Sequence, residues 1–86
     1  MKLFFPKQAW EDYLYWQKNK SKILEQVNTL IKKTSRQPFT GIGKPEPLKH
    51  ALSDYWSRRI NDEHRFFYKV VEGSLLIAQL RYHYDT

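Results

Sequence analysis

Glu46 stands between two prolines in the stretch KPEPLKH. Each proline restricts its own backbone and that of the residue before it. A carboxylate in so stiff a loop is held in place, as a general base must be; a solvated loop glutamate fits the same letters. Lys49 and His50 follow in the same segment and read equally well as ordinary surface residues. His83 lies in RYHY near the far end of the chain. Histidine titrates near neutrality, at about pH 6.5, which makes His83 the natural proton donor. Tyr82 and Tyr84 flank it and could stack on the bases of single-stranded RNA, or one could fill the core while the other covers an edge. Arg65 interrupts the aromatic, β-branched run HRFFYKVV, where a solvated strand face also accounts for it. Arg58, Arg59, His64 and Arg81 complete the polar side chains that a core of strands does not require.

Whether Arg65 meets His83 depends on the turn EGS that separates their strands. A two-residue turn at Glu72 and Gly73 pairs position 65 with 80 and sets Arg65 beside Tyr82 and Tyr84. A three-residue turn at Glu72, Gly73 and Ser74 pairs 65 with 81 and sets it beside Arg81 and His83. Both are common hairpins, and a one-residue slip moves every side chain to the other face.

The elements that carry these residues follow from periodicity. MKLFF is short and apolar and predicts a first strand. Pro6 suits the first turn of a helix, where its missing N–H costs nothing. Ala9, Tyr13, Trp16 and Gln17 share one side of that helix, adjoined by Trp10 and Leu14. Ile23, Leu24, Val27, Leu30 and Ile31 form an apolar stripe on a 3.6-residue period, which predicts a second helix. The short connection predicts an antiparallel helical hairpin. TSRQPFTGIGKPEP, with its glycines and prolines, reads as a loop without regular structure. YWSRRI, HRFFYKVV and SLLIAQLRYHY predict three meandering strands. The expected fold is α+β: a single domain over residues 1–86, with a mainly antiparallel sheet, an N-terminal strand and the helix pair on one face.

Composition narrows the function. Fifteen Lys and Arg against nine Asp and Glu give a formal charge of +6, which favours a polyanionic partner, nucleic acid first. The absence of cysteine excludes disulfides, thiol catalysis and thiolate zinc sites and fits a reducing cytoplasm. Three scattered histidines offer no metal-ligand spacing, and GIGK lacks the length and context of a phosphate loop. No signal peptide is expected at MKLFFPKQAW, and no apolar run approaches the roughly 20 residues that span a bilayer.

The segments DYLYWQ, LIKKT, GKPEPLKH, WSRRI and RYHY, in this order, resemble the YoeB/Txe toxins of the RelE-like superfamily of toxin–antitoxin ribonucleases. The resemblance covers essentially the whole chain. It implies a fold like that of compact microbial ribonucleases, binding in the ribosomal A site and cleavage of the mRNA there, which inhibits translation. It implies an acidic, partly disordered YefM-like antitoxin as partner, and a homodimer. On the matching motifs it makes Glu46 the base that removes the 2′-OH proton and Arg65 the cation that stabilises charge on the phosphate. It makes His83 the acid that protonates the leaving oxygen, Tyr84 the residue that orients substrate, and Lys49 and Arg59 RNA-binding positions. No cofactor or metal is implied, because RNA supplies its own nucleophile. This mechanism favours the three-residue turn. Asp85 and Thr86 continue past Tyr84 and bring negative charge towards the site. The rival readings are a non-catalytic binder of RNA or ribosomes, and a module that only binds an acidic partner protein.

Overall fold

The computed structural model describes residues 1–19 and 21–82, Ser21 by its backbone alone. A five-stranded sheet has the order β1-β5-β4-β3-β2, where β1 is Lys2–Phe4, β2 Glu46–Pro47, β3 Trp56–Arg59, β4 Arg65–Val71 and β5 Ser74–Gln79. Helices α1 (Lys7–Asn19) and α2 (Ser21–Arg36) lie between β1 and β2. All pairings are antiparallel except that of β1 with β5, which is parallel. The expected α+β architecture with a mainly antiparallel sheet is the observed one.

The helices form where the apolar period placed them. The Pro6 carbonyl accepts the Trp10 N–H at 3.0 Å, so Pro6 caps α1 rather than lying inside its first turn. Ala9 and Trp16 of α1 and Val27, Leu30 and Ile31 of α2 are buried against Phe66, Tyr68, Leu75 and Ile77 of the sheet. Each such apolar side chain contributes about 2 kcal/mol by leaving water. The two helices fold back on each other, and the Tyr13 hydroxyl donates to Asn28 Oδ1 at 2.9 Å. Their packing covers one face of the sheet; the opposite face carries Phe67, itself 5% exposed.

Three features depart from the sequence-based expectation. The loop read as irregular contains β2, a two-residue strand whose Glu46 and Pro47 pair with Ser57 and Trp56. The turn after β4 has two residues, not the three that the catalytic reading favoured. Val71 pairs with Ser74, and Glu72 and Gly73 both have positive φ, 48° and 77°, as a type I′ hairpin requires. The last strand is also shorter than expected: β5 ends at Gln79, and Leu80, Arg81 and Tyr82 continue outside it.

The register nevertheless recovers. Tyr68 pairs with Ile77, but Phe67 pairs with Gln79. Ala78 is thus an extra residue in β5, a β-bulge that shifts the pairing by one. Below the bulge, β4 and β5 stand in the alignment that a three-residue turn would have produced.

Candidate active site

The face of the sheet opposite the helices collects polar residues by simple alternation. Successive strand residues point to opposite faces. Lys44, Glu46 and Leu48 therefore project together from the β2 segment, Ser57 and Arg59 from β3, and Arg65 and Phe67 from β4. These seven side chains line one cleft of about 340 Å³. Glu46 pairs with Ser57, Ser57 with Phe67, and Arg59 with Arg65. Two strand spacings, about 10 Å, separate β2 from β4. Glu46 and Arg65 thus stand on opposite walls and frame a gap instead of forming an ion pair.

Arg59 and Arg65 face each other directly across β3 and β4. Like charges at such positions are destabilising unless an anion lies between them. Arg59 is exposed and bonded to Asp62. Arg65 is half-buried and donates to two neutral carbonyls, of Asn61 at 2.6 Å and His64 at 3.1 Å. Those carbonyls aim the guanidinium while leaving its charge uncompensated; among the described residues no carboxylate pairs with it. The turn that holds them is shaped by Asn61, whose Oδ1 accepts the N–H groups of Glu63 and His64 at 2.9 and 2.8 Å, as Asn does in tight turns.

The other wall hangs on Arg58. The sequence ranks it with the polar residues that a core of strands does not need, yet it has 0% exposure. Its guanidinium donates to the carbonyls of Gln37, Thr40 and Ile42 and to the Tyr68 hydroxyl. Tyr68 in turn donates to the Pro38 carbonyl at 2.6 Å. Burial raises the Tyr68 pKa above its ordinary value, opposed by the hydrogen bond and charge of Arg58. The buried cation thus organises residues 37–42, the loop that leads to Lys44 and Glu46. The Gly43 carbonyl then accepts the Arg59 N–H at 2.7 Å, and the Leu48 N–H donates to the Tyr55 carbonyl at 2.8 Å, so Glu46 is fixed on both sides.

Beyond β5 the chain approaches Arg65. The Arg65 N–H donates to the Tyr82 carbonyl at 3.0 Å, and the Tyr82 N–H donates to His64 Nδ1 at 2.8 Å. His83, Tyr84, Asp85 and Thr86 lie outside the described residues. The His64 pKa is lowered, chiefly by burial; Glu63 and Asp12 oppose the shift and Arg81 adds to it.

A family model described as the YoeB-like toxin of bacterial type II toxin-antitoxin systems matches residues 5–84. The chain belongs to this family of YoeB-like toxins. Toxin YoeB of Escherichia coli K12 is 58% identical over 84 residues, 98% of this chain and 100% of the relative. The solved YoeB/ParE toxin from Agrobacterium tumefaciens superposes with a TM-score of 0.93 at 46% identity, over 98% of this chain and 100% of that one. A YoeB dimer and a YoeB-YefM complex from Staphylococcus aureus give TM-scores of 0.90 and 0.89, each at 46% identity over 98% of both chains.

In this YoeB-like toxin the structure brings Glu46, Arg59 and Arg65 into one cleft. Lys49 is exposed and precedes the 3-10 turn His50–Leu52, outside the cleft lining. The sequence reading missed Lys44 and Ser57. Period-two spacing from Glu46 and Arg59 was the signal that could have found them. A larger groove of about 550 Å³, lined by Leu3, Trp10, Tyr13 and Lys32 among others, lies apart from this cleft.

Proposed function

We propose that this toxin is a ribosome-dependent endoribonuclease that cleaves mRNA in the A site by acid–base transesterification and so inhibits translation. The observation that carries the reading is the cleft itself, with a carboxylate on one wall and two opposed guanidiniums on the other. RNA needs little more, since its 2′-OH is the nucleophile. Glu46 takes the 2′-OH proton as that oxygen attacks phosphorus. Arg65, with Arg59 beside it, stabilises the negative charge that develops on the phosphate. His83 gives its proton to the leaving 5′-oxygen as the P–O5′ bond breaks, and Tyr84 orients the substrate. The products are a 2′,3′-cyclic phosphate and a 5′-OH. Lys49 and Arg59 contribute cationic contacts to RNA, and Lys44 joins them from the cleft wall.

The partners follow the family. A YefM-like acidic antitoxin binds and silences the toxin, and two copies form a homodimer; solved YoeB relatives occur in both arrangements. The net charge of +6 suits both the antitoxin and ribosomal RNA. The setting is the cytoplasm, where ribosomes are.

The test is a translation reaction with purified ribosomes and a defined mRNA, its 5′ ends mapped by primer extension. The wild type cuts inside the A-site codon. Glu46→Gln, Arg65→Ala and His83→Gln each lower the cleavage rate at saturating ribosomes by about 100-fold or more, the scale of a lost proton-transfer or charge-stabilising group. Translation arrest without new RNA ends would instead identify a ribosome-blocking binder.

A further inference from the structure

The chain leaves β5 at Gln79 and is at once held by side chains from distant elements. Asp12 of α1 is 1% exposed. Its Oδ2 accepts the Leu80 N–H at 3.0 Å, and its Oδ1 accepts from Gln8 Nε2 at 2.8 Å. One turn on, Trp16 Nε1 donates to the Leu80 carbonyl at 2.8 Å. Both polar groups of Leu80, which a neighbouring strand would otherwise satisfy, are taken by one helix. The Arg81 guanidinium packs over the Tyr15 ring, 3.5 Å from its centroid. At the next residue, His64 Nδ1 and the Arg65 N–H take the two backbone polar groups of Tyr82. The His64 ring is itself set edge-on against Trp16, with centroids 4.8 Å apart.

Tyr82 has a φ of 66°. A bulky aromatic residue rarely adopts this left-handed conformation, which costs of order 1–3 kcal/mol and persists only where the surroundings over-determine it. The surroundings here are hydrogen bonds to both of its backbone groups: its carbonyl accepts from the Arg65 N–H, and its N–H donates to the His64 Nδ1 side-chain nitrogen. The strain falls at the residue that immediately precedes His83.

We infer that Asp12, Trp16 and His64 form a clasp whose task is to position the chain entering His83 against Arg65, and that His64 performs it as a neutral imidazole. This rests on the nuclease reading, which makes His83 the proton donor. His64 is a positioning residue, not a catalytic one. Its Nδ1 accepts the Tyr82 N–H, so in the clasped state it carries no proton there, and its one proton resides on Nε2. Protonation at Nδ1 replaces an acceptor with a second donor and opens the bond. The charged groups around the ring are Glu63 in its own turn, Arg81 in the tail and Asp12 on α1. Burial outweighs the two carboxylates, so the folded-state pKa lies below the ordinary 6.5. The clasp is therefore intact above about pH 6.5 and is lost as pH falls through the lowered value.

Two variants of the full chain test this. His64→Asn keeps an acceptor near the Nδ1 position but cannot titrate; His64→Leu has no acceptor. In the wild type, the Tyr82 amide, followed by NMR hydrogen exchange, is protected at neutral pH and loses protection on acidification. It stays protected at both pH values in His64→Asn and is unprotected at both in His64→Leu. In the cleavage assay, His64→Leu slows the rate at saturating ribosomes by about tenfold or more, the scale of a sub-ångström misplacement. Its half-saturating ribosome concentration stays within about twofold, because no group that contacts RNA is changed. His64→Asn recovers most of the rate. Unaltered Tyr82 protection in His64→Leu overturns the clasp, and lost protection with an undiminished cleavage rate overturns its positioning role. If His64→Leu does not fold, the contrast between wild type and His64→Asn on acidification decides: equal loss of protection in both overturns the inference. A wild type that makes no RNA ends overturns the nuclease reading and the positioning role with it, while the amide protection still reports on the clasp alone.

Discussion

Arg58 and Arg59 are adjacent in sequence and opposite in fate. One is sealed in the core among carbonyls; the other stands beside its cross-strand partner Arg65 on the wall of the cleft. Nothing in the letters WSRRI distinguishes them, because a one-residue slip exchanges their faces. The distinction comes from the loop that wraps Arg58. Replacing it by Met keeps the bulk but removes the charged donor to three loop carbonyls and to the Tyr68 hydroxyl. Hydrogen bonds to a charged group contribute about 1.5–3 kcal/mol each, so losing these should destabilise the protein by roughly 3 kcal/mol or more in Arg58→Met. In a domain of this size that lowers the melting temperature by about 15 °C, measurable by calorimetry. A change of a few degrees would mean that these bonds contribute little. Glu46 and Arg65 were legible as residue types, a stiffly held carboxylate and a misplaced cation. Asp12 was not, since only the folded chain shows that its partner is an amide 68 positions away.

At the scale of elements, the helices were legible because their apolar stripes are local statements. The two-residue β2 was not, since it exists only where β3 offers it partners. Nor was the bulge at Ala78, because register along a hairpin is decided jointly by turn and packing. The close approach at Gly43 was equally hidden. Its φ is 80°, and an added Cβ would lie 2.9 Å from Leu30 Cδ2 and 3.2 Å from Arg58 Cβ. Gly43→Ala is therefore expected to cost about 2 kcal/mol from crowding and backbone strain together. On the proposed nuclease reading it should also lower cleavage, because the Gly43 carbonyl ties the Glu46 segment to Arg59. Chemical denaturation and the primer-extension assay read the two effects. A variant as stable as the wild type would show that the loop moves aside freely.

For the whole molecule, one modest core serves 86 residues, and small domains lean on partners for stability. Met1, Leu3 and Trp10 are large apolar side chains left exposed and line one groove, a surface that dimerisation can cover. If the folded state is a dimer, tenfold more protein favours it by about 1.4 kcal/mol per dimer, and the melting temperature rises by a few degrees per decade of concentration. A midpoint that stays flat over two decades would establish a monomer. The order of the sheet has a further consequence for how such a protein comes into being. Strand β1 is synthesised first, but it pairs with β5, which is synthesised last of the five strands. The clasp on Leu80 likewise joins α1 to residues made after every strand. Neither can form until the chain through Leu80 has been synthesised and has cleared the exit tunnel. On the proposed reading as a ribosome-dependent nuclease, chain connectivity alone keeps the toxin from acting before its own chain has emerged through Leu80.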